Sequence, residues 1–179
     1  MHVARPQAAR SVAHQPLPPA PSPPLGPVSL ALFYQYVEPQ WTEKEHKEAM
    51  KTVIGLGSKC GVKGRGRCAP EGLNCTITGP PDAVRAFCYG LRQWKPSIFD
   101  GTDFKITDGL AADQSFKALT IQKQKDLVGY GLPSEVTPQL KTSHARHVEA
   151  DEYHQLMTDP DAVIIDVRKG LGDVRSPWI

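Results

Sequence analysis

A single segment, residues 73–91, limits the possible folds, because the spacing of its apolar residues changes from that of a strand to that of a helix. In its first part apolar and polar residues alternate, which is the pattern of a β-strand with one buried face. The apolar members of this alternation are Leu73, Cys75 and Ile77. After a Gly-Pro-Pro-Asp sequence, apolar residues recur at the spacing of a helix that buries one stripe. Those residues are Val84, Phe87, Cys88 and Leu91. The segment therefore predicts a strand followed directly by an amphipathic helix.

The segments before residue 73 repeat these two patterns. Residues 29–37 are rich in apolar and aromatic side chains and predict a first strand. Thr42 and Glu45 form a capping-box pair, which predicts the start of a helix. Glycines at positions 55 and 57 predict that this helix ends near them. Residues 62–69 are separated from the alternating strand by Pro-Glu-Gly, so the two are expected to form a hairpin.

Two more strands are predicted after the second helix. Residues 102–109 alternate, with Phe104 and Ile106 in phase. Residues 116–131 offer a further strand, and its in-phase residues are Phe116, Ala118 and Thr120. The apolar phase shifts at Leu119 and Ile121, which leaves a bulge or a register change open.

The resulting order is β-α-β-β-α-β with one added strand. It predicts an α+β, ferredoxin-like domain over residues 29–131, with two helices on one face of an antiparallel sheet and the other face open. Such an open face commonly contacts RNA or another domain, and the fold alone does not decide which.

The first 28 residues are expected to be a disordered or polyproline II leader, because they contain eight prolines. No acidic residue precedes Glu38, while Arg and Ser are present. This composition fits either an organelle transit peptide or a plain disordered tail. The first alternative places the protein in a plastid or mitochondrion, and the second in the cytoplasm.

The C-terminal part predicts a second, different unit. Residues 132–145 contain Pro133 and Pro138 and are expected to be a linker. Residues 146–179 then predict a short helix, a turn at Asp159-Pro160-Asp161 and a buried strand in AVIIDVR. Only about 35 residues serve this α/β segment, whereas a parallel strand needs neighbours joined by crossovers of a dozen or more residues. We therefore expect its apolar strand to be exposed and unsupported.

Charge and cysteine usage exclude several classes of function. The net charge is +2, and Arg5 and Arg10 of the leader account for it, so nucleic-acid binding must rest on a local patch. No apolar run approaches the length of a membrane span. The four cysteines form no CxxC pair and the histidines no ligand pattern, so neither a metal site nor a cofactor is predicted.

One local basic patch stands out, in the sequence KCGVKGRGR. If residues 62–69 form a strand, Lys63, Arg65 and Arg67 project from one face at steps of about 7 Å, which suits a phosphodiester backbone. The alternative is a solvated strand face, or an edge strand protected by charge from aggregation. Gly64 and Gly66 between them indicate a bulge or the close approach of another backbone.

The segment Glu71-Gly72-Leu73-Asn74 has two interpretations. It is either a ligand-binding turn or a tight turn in which Gly72 supplies a positive φ and Asn74 bonds locally, and we favour the tight turn. Cys60 lies beside the basic run, but no base or resolving cysteine accompanies it. No catalytic residue is therefore assigned.

Three stretches, KGRGRCAPEGLNCTITG, FDGTDFKITDG and HVEADEYHQLMTDPDAVIIDVR, together resemble a known family. It comprises the two-domain rhodanese-like proteins related to the bacterial tRNA uridine hydroxylases, and the second stretch is similar to algal and plant members. The resemblance covers roughly residues 30–168. It implies an acylphosphatase-like, ferredoxin-like domain followed by a rhodanese domain, and a tRNA-modifying, sulfurtransferase-like ancestry.

The sequence departs from the family after Asp166-Val167-Arg168. The resemblance implies a catalytic cysteine well beyond this strand, yet no Cys follows Cys88. We expect a truncated, incomplete rhodanese segment that is inactive alone, with the ending either genuine or an artefact of the gene model. The leading hypothesis is an N-terminal module that retains tRNA binding through Lys63, Arg65 and Arg67. The alternative is a protein-interaction or homodimerisation module that acts through the open sheet face without RNA.

Overall fold

The computed structural model describes residues 16–127 and 148–165. The chain divides into two units, Met1–Val136 and Thr137–Ile179, and each is described by itself. Among the described residues, no helix has the length and apolar character needed to cross a membrane.

The described part of the first unit, residues 16–127, contains five strands, three helices and a short 3-10 turn. In chain order they are β1 (Val28–Tyr36), α1 (Glu43–Cys60), β2 (Lys63–Ala69), β3 (Gly72–Gly79), α2 (Pro81–Trp94), α3 (Pro96–Phe99), β4 (Lys105–Leu110), the 3-10 turn (Ala112–Gln114) and β5 (Leu119–Lys123). The predicted β-α-β-β-α-β order with an added strand is confirmed.

The strands form one sheet in the order β4-β1-β3-β2-β5. Neighbours among the first four are antiparallel, as predicted. The added strand β5 instead runs parallel to β2, so the sheet is mixed rather than wholly antiparallel.

The hydrophobic core lies between the sheet and helices α1 and α2. The alternating strand and the helix stripe predicted from the sequence both contribute to it, and all of their apolar residues are buried: Leu73, Cys75, Ile77, Val84, Phe87, Cys88 and Leu91. Phe33 of β1 packs edge-on against Phe104, with ring centroids 4.9 Å apart. The two helices therefore cover one face of the sheet, and the opposite face is not packed against them.

Helix α1 begins as predicted and ends later than predicted. The Thr42 side chain accepts a hydrogen bond from the Glu45 backbone N–H, and the Glu45 carboxylate accepts one from Thr42 N–H. The expected end near Gly55 or Gly57 is wrong, because the helix continues to Cys60 and is capped by Gly61 at φ 70°. Gly61 provides the left-handed conformation that a helix end requires, whereas Gly55 lies within the helix.

The predicted phase of the fifth strand is also wrong. Leu119 and Ile121 pack against the core, while Ala118 and Thr120 are exposed. Phe116 precedes the strand and lies on the opposite face of the sheet. The change has a physical reason: β5 pairs in parallel with β2, and this register directs Leu119 and Ile121 to the helix side.

Part of the predicted leader packs on the domain. Residues 16–27 contain no helix or strand, yet Leu17 is buried within the core cluster. The Arg85 side chain of α2 donates hydrogen bonds to the carbonyl oxygens of Pro18 and Pro19, at 2.7 and 3.0 Å. From Pro16 onward the segment therefore differs from a disordered leader. Its prolines lack an N–H donor but keep carbonyl oxygens that accept hydrogen bonds, and the Leu17 side chain packs in the core.

The described part of the second unit contains one helix, α4 (Ala150–Leu156), followed by the predicted turn. The turn is closed by a hydrogen bond from Ala162 N–H to the Asp159 carbonyl. The strand predicted from Val163 onward is not formed between Val163 and Ile165, whose side chains are exposed. Asp166, Arg168 and the predicted linker lie outside the described residues.

Candidate nucleic-acid interface

The sheet face opposite the helices brings basic, polar and aromatic side chains into rows across the strands. Strand pairing aligns two rows in the middle of this face, which we call the open face. One row contains Lys105, Leu32, Thr76, Arg65 and Thr120. The other contains Tyr34, Asn74, Arg67 and Gln122. Adjacent members of a row lie about 5 Å apart at the backbone, so one ligand can contact several of them.

The basic residues of β2 project as the sequence predicts. Lys63, Arg65 and Arg67 are exposed, and the residues between them are buried. A Cβ atom added to Gly66 would lie 2.6 Å from the Cys75 sulfur and 2.7 Å from Cδ1 of Ile121. At Gly64 an added Cβ atom would lie 2.3 Å from the Thr76 carbonyl oxygen, so the predicted close approach of another backbone is confirmed there. A bulge is not formed, because the pairing of β2 with both neighbours is continuous.

No carboxylate of the described residues forms an ion pair with Lys63, Arg65 or Arg67. The Arg65 guanidinium lies 5.5 Å from the centre of the Phe116 ring. Arg67 donates a hydrogen bond of 3.2 Å to the carbonyl oxygen of Leu127. These contacts orient the two guanidinium groups without neutralising them, so the positive charge remains available to an anion.

Two chain segments, one at Phe116 and one at Leu127, are held against the sheet at opposite ends of β3. At one end, Phe116 N–H donates a hydrogen bond of 3.0 Å to the Thr78 hydroxyl. At the other end, Leu127 is buried, and its N–H donates to the Glu71 carboxylate. The open face is consequently accessible in its central part, between these two contacts.

The Glu71–Asn74 segment agrees with the tight-turn interpretation in part. Gly72 has φ 137°, and a Cβ atom there would lie 1.9 Å from the Gln35 carbonyl oxygen. Asn74 belongs to β3 and lies opposite Arg67 of β2. The prediction that Asn74 is part of the turn and forms a local hydrogen bond there is therefore wrong. The role of Glu71 in holding Leu127 was missed, because nothing in the local sequence indicates a partner 56 residues away.

The thiols are poorly placed for chemistry. Cys68, Cys75 and Cys88 are buried, and burial raises the pKa of each thiol to about 12. They are therefore protonated near neutral pH, whereas the thiolate is the nucleophile. Cys60 is half-buried at the end of α1, and all four cysteines are free.

Two histidines lie among the described residues, His46 on α1 and His154 on α4. His154 is exposed on α4, and His144 and His147 lie outside the described residues. His46 is buried, with Nε2 2.8 Å from the Cys68 carbonyl oxygen. The described residues hold no group of three or more His, Cys, Asp or Glu side chains that could bind a metal ion.

An open groove of about 810 Å³ lies at the β2–β5 edge of the sheet. Arg67 lines it together with Glu43 and Lys123, whose side chains pair at 2.8 Å. The hydrogen bond from Lys123 lowers the pKa of the Glu43 carboxyl. Because it carries both signs of charge, this groove adds little attraction for an anion beyond that of Arg67.

The strand order 4-1-3-2 with two helices on one face defines a ferredoxin-like α+β domain with an open, basic sheet face. The family model of the UPF0176 acylphosphatase-like domain matches residues 28–127. The chain belongs to the UPF0176 family, and the resemblance seen in its sequence is confirmed.

Curated relatives carry the name tRNA uridine(34) hydroxylase. The protein of Prochlorococcus marinus strain NATL2A is 27% identical over 78% of this chain and 41% of its own length. The protein of Kocuria rhizophila is 30% identical over 79% of this chain and 47% of its own length. The protein of Teredinibacter turnerae is 33% identical over 78% of this chain and 40% of its own length. This chain therefore spans less than half the length of these relatives.

A solved acylphosphatase from Coxiella burnetii is also similar. It is 7% identical, with a TM-score of 0.35, over 54% of this chain and 92% of its own. The assignment of the fold rests on the sheet topology and the family match.

Proposed function

We propose that the domain binds tRNA through its open face, as the RNA-positioning part of a tRNA uridine hydroxylase. The observation that carries the proposal is the set of exposed basic side chains along β2, which form no ion pair with any carboxylate of the described residues. Lys63, Arg65 and Arg67 are spaced by two residues along one extended strand, or about 7 Å between neighbours. Cationic groups at such intervals displace counterions from an RNA backbone, which is the main sequence-independent source of affinity.

The neighbouring strands support the same assignment. Thr76 and Asn74 of β3 lie beside Arg65 and Arg67, and both are half-buried polar residues. Hydroxyl and amide groups commonly donate hydrogen bonds to phosphate and sugar oxygens. The proposed interface thus combines cationic groups with polar groups on a rigid sheet.

The proposal assigns positioning rather than oxidation to this domain. Three of its four thiols are buried, and their raised pKa values keep them protonated near neutral pH. Catalysis by these buried thiols would require opening of the core. Any hydroxylation is therefore attributed to groups other than the buried thiols, acting on an RNA that the open face holds.

The test is tRNA binding by the full chain, measured by fluorescence anisotropy at low and moderate salt. Replacement of Lys63, Arg65 and Arg67 by Ala should weaken binding at least about tenfold, because three phosphate contacts are lost. The matched control replaces Lys44, Lys47 and Lys51, which are exposed on α1, and changes the net charge equally. If both triple variants bind tRNA like the wild type, the open face is not the interface.

A second candidate is homodimerisation through the open face, favoured by the exposure of Leu32 and Tyr34, at 36% and 50%. Light scattering coupled to size exclusion separates the two functions. RNA binding predicts a monomer whose mass increases with tRNA. A stable dimer that is indifferent to tRNA supports the interaction module instead.

A further inference from the structure

Tyr34 has an unusual position for a large aromatic side chain. It lies in β1, between β4 and β3, and is therefore not on an edge strand. Nevertheless half of its surface is exposed. Within the described residues its ring packs against no other aromatic ring and its hydroxyl has no hydrogen-bond partner. By contrast, Phe33, its neighbour in sequence, is buried against two other rings.

The surroundings of Tyr34 suit a nucleotide. Asn74 lies directly opposite on β3, and Arg67 follows on β2 in the same row. Paired side chains in such rows have Cβ atoms about 5 Å apart, so a planar ligand over the Tyr34 ring would also reach the Asn74 amide. The adjacent row supplies Lys105 on one side and Arg65 on the other. A ring on a rigid strand, an amide beside it and cations on both sides are the groups that bind an unpaired base and its phosphates.

We infer that Tyr34 is a stacking site for an unpaired RNA base, with Asn74 contacting the edge of that base. The inference rests on the proposed function and narrows its ligand to single-stranded RNA, such as a hairpin loop. A base inside a duplex has both faces covered by its neighbours and cannot lie on a tyrosine ring. A loop presents unstacked bases together with the phosphates that the basic residues attract.

Occupation by RNA is favoured over a protein partner by the charges around the ring. Lys63, Arg65 and Arg67 lie on one side and have no carboxylate partner among the described residues. Lys105 lies on the other side, 2.6 Å from the exposed carboxylate of Asp103. A second copy of this face would oppose cation to cation, and the repulsion disfavours a symmetric dimer through it.

The first test compares two RNAs of equal length, a hairpin with a seven-nucleotide loop and a blunt duplex, against the full chain. The wild type should bind the hairpin more tightly. Tyr34→Ala and Tyr34→Leu should weaken hairpin binding about 5- to 150-fold, the effect of removing one stacked base, and leave duplex binding unchanged. Tyr34→Phe should restore hairpin affinity to within about twofold of the wild type.

The matched control is Tyr89→Ala, because Tyr89 is 45% exposed on α2, away from the sheet face. It should bind both RNAs like the wild type. Tyr34→Leu retains an apolar side chain suited to a strand, so a loss confined to hairpin binding in this variant reports on the ring rather than on folding.

A second measurement locates the base. A hairpin with 5-iodouridine in its loop, irradiated in the complex, should cross-link to Tyr34, as identified by mass spectrometry of the peptides. Three outcomes overturn the inference: equal binding of hairpin and duplex, Tyr34→Leu at wild-type affinity, or a cross-link confined to other residues. If the variant with Lys63, Arg65 and Arg67 replaced by Ala still binds tRNA more weakly than the wild type, the proposed function survives each of these three outcomes. If no RNA binds the wild type, both fail.

Discussion

At the residue scale, one partly buried ion pair connects four parts of the domain. Arg85 of α2 and Asp108 of β4 form two hydrogen bonds, of 3.0 and 2.9 Å. Asp108 also accepts a hydrogen bond from Ser29 of β1, and Arg85 donates to carbonyl groups of residues 18 and 19. The hydrogen bonds from Arg85 lower the pKa of the Asp108 carboxyl below its ordinary 3.8.

Replacement of Asp108 by Asn should lower the free energy of unfolding by about 3 kcal/mol, because it leaves a buried guanidinium without its counterion. A carboxyl with a lowered folded-state pKa stabilises the fold fully above its unfolded pKa, and this contribution is lost as pH falls through the folded value. Urea denaturation should thus show the full difference at pH 6–7 and a shrinking one below about pH 3.8.

Asp103→Asn is the control for Asp108→Asn. Its partner Lys105 is 72% exposed, and exposed pairs contribute under about 1 kcal/mol. An Asp108→Asn variant as stable as this control at pH 7 would mean that the ion pair does not hold α2 to the sheet.

Two glycines with positive φ should respond differently to Ala. At Gly61 an added Cβ meets nothing within 4 Å, so only the backbone conformation is strained, at about 1 kcal/mol. At Gly72 the Cβ would also collide with the Gln35 carbonyl, and we expect a loss of at least about 3 kcal/mol. Thermal denaturation of both variants measures the difference. Equal losses would contradict the close approach of β1 and β3 at Gly72.

At the element scale, the start of α1 depends on Thr42. Thr42→Ala should destabilise the domain by about 1 kcal/mol, because the Glu45 backbone N–H loses its acceptor. Thr52→Ala, in the middle of the same helix, should be neutral or slightly stabilising, since Ala has the higher helix propensity. Chemical denaturation compares the two. A Thr42→Ala variant as stable as Thr52→Ala would show that the cap does not stabilise the helix.

Elements with local signals were predictable, and elements set by distant partners were not. The α1 cap and the stripe of α2 follow from residues within one or two turns. The end of α1 was misplaced, because Gly55 and Gly57 carry the same local signal as Gly61. The phase of β5 was misplaced because Leu119 and Ile121 gain their inward direction from parallel pairing with β2, which no local pattern encodes.

The candidate site was predictable to the same extent. Alternation with glycine places Lys63, Arg65 and Arg67 on one strand face. Tyr34 was not predictable, because β1 is apolar in both phases, and only its register with β3 and β4 decides which residues face away from the helices. Lys105 was missed for the same reason: its membership of the open face depends on pairing with Leu32.

At the scale of the whole molecule, charge is localised rather than general. The net charge is only +2, so nonspecific attraction to RNA is weak, and the proposed binding depends on the local charge of the open face. The helices on the opposite side carry both lysines and glutamates, including the exposed Lys47–Glu43 pair. RNA is therefore expected to contact one side of the domain.

The most direct test of this account is the salt dependence of tRNA affinity for the wild type and for the variant with Lys63, Arg65 and Arg67 replaced by Ala. The slope of log affinity against log salt counts the counterions released. It should be shallower in the variant by about 2, from three lost contacts at roughly 0.7 each on unpaired RNA. Equal slopes for the two proteins would contradict the assignment of the open face as the RNA-binding surface.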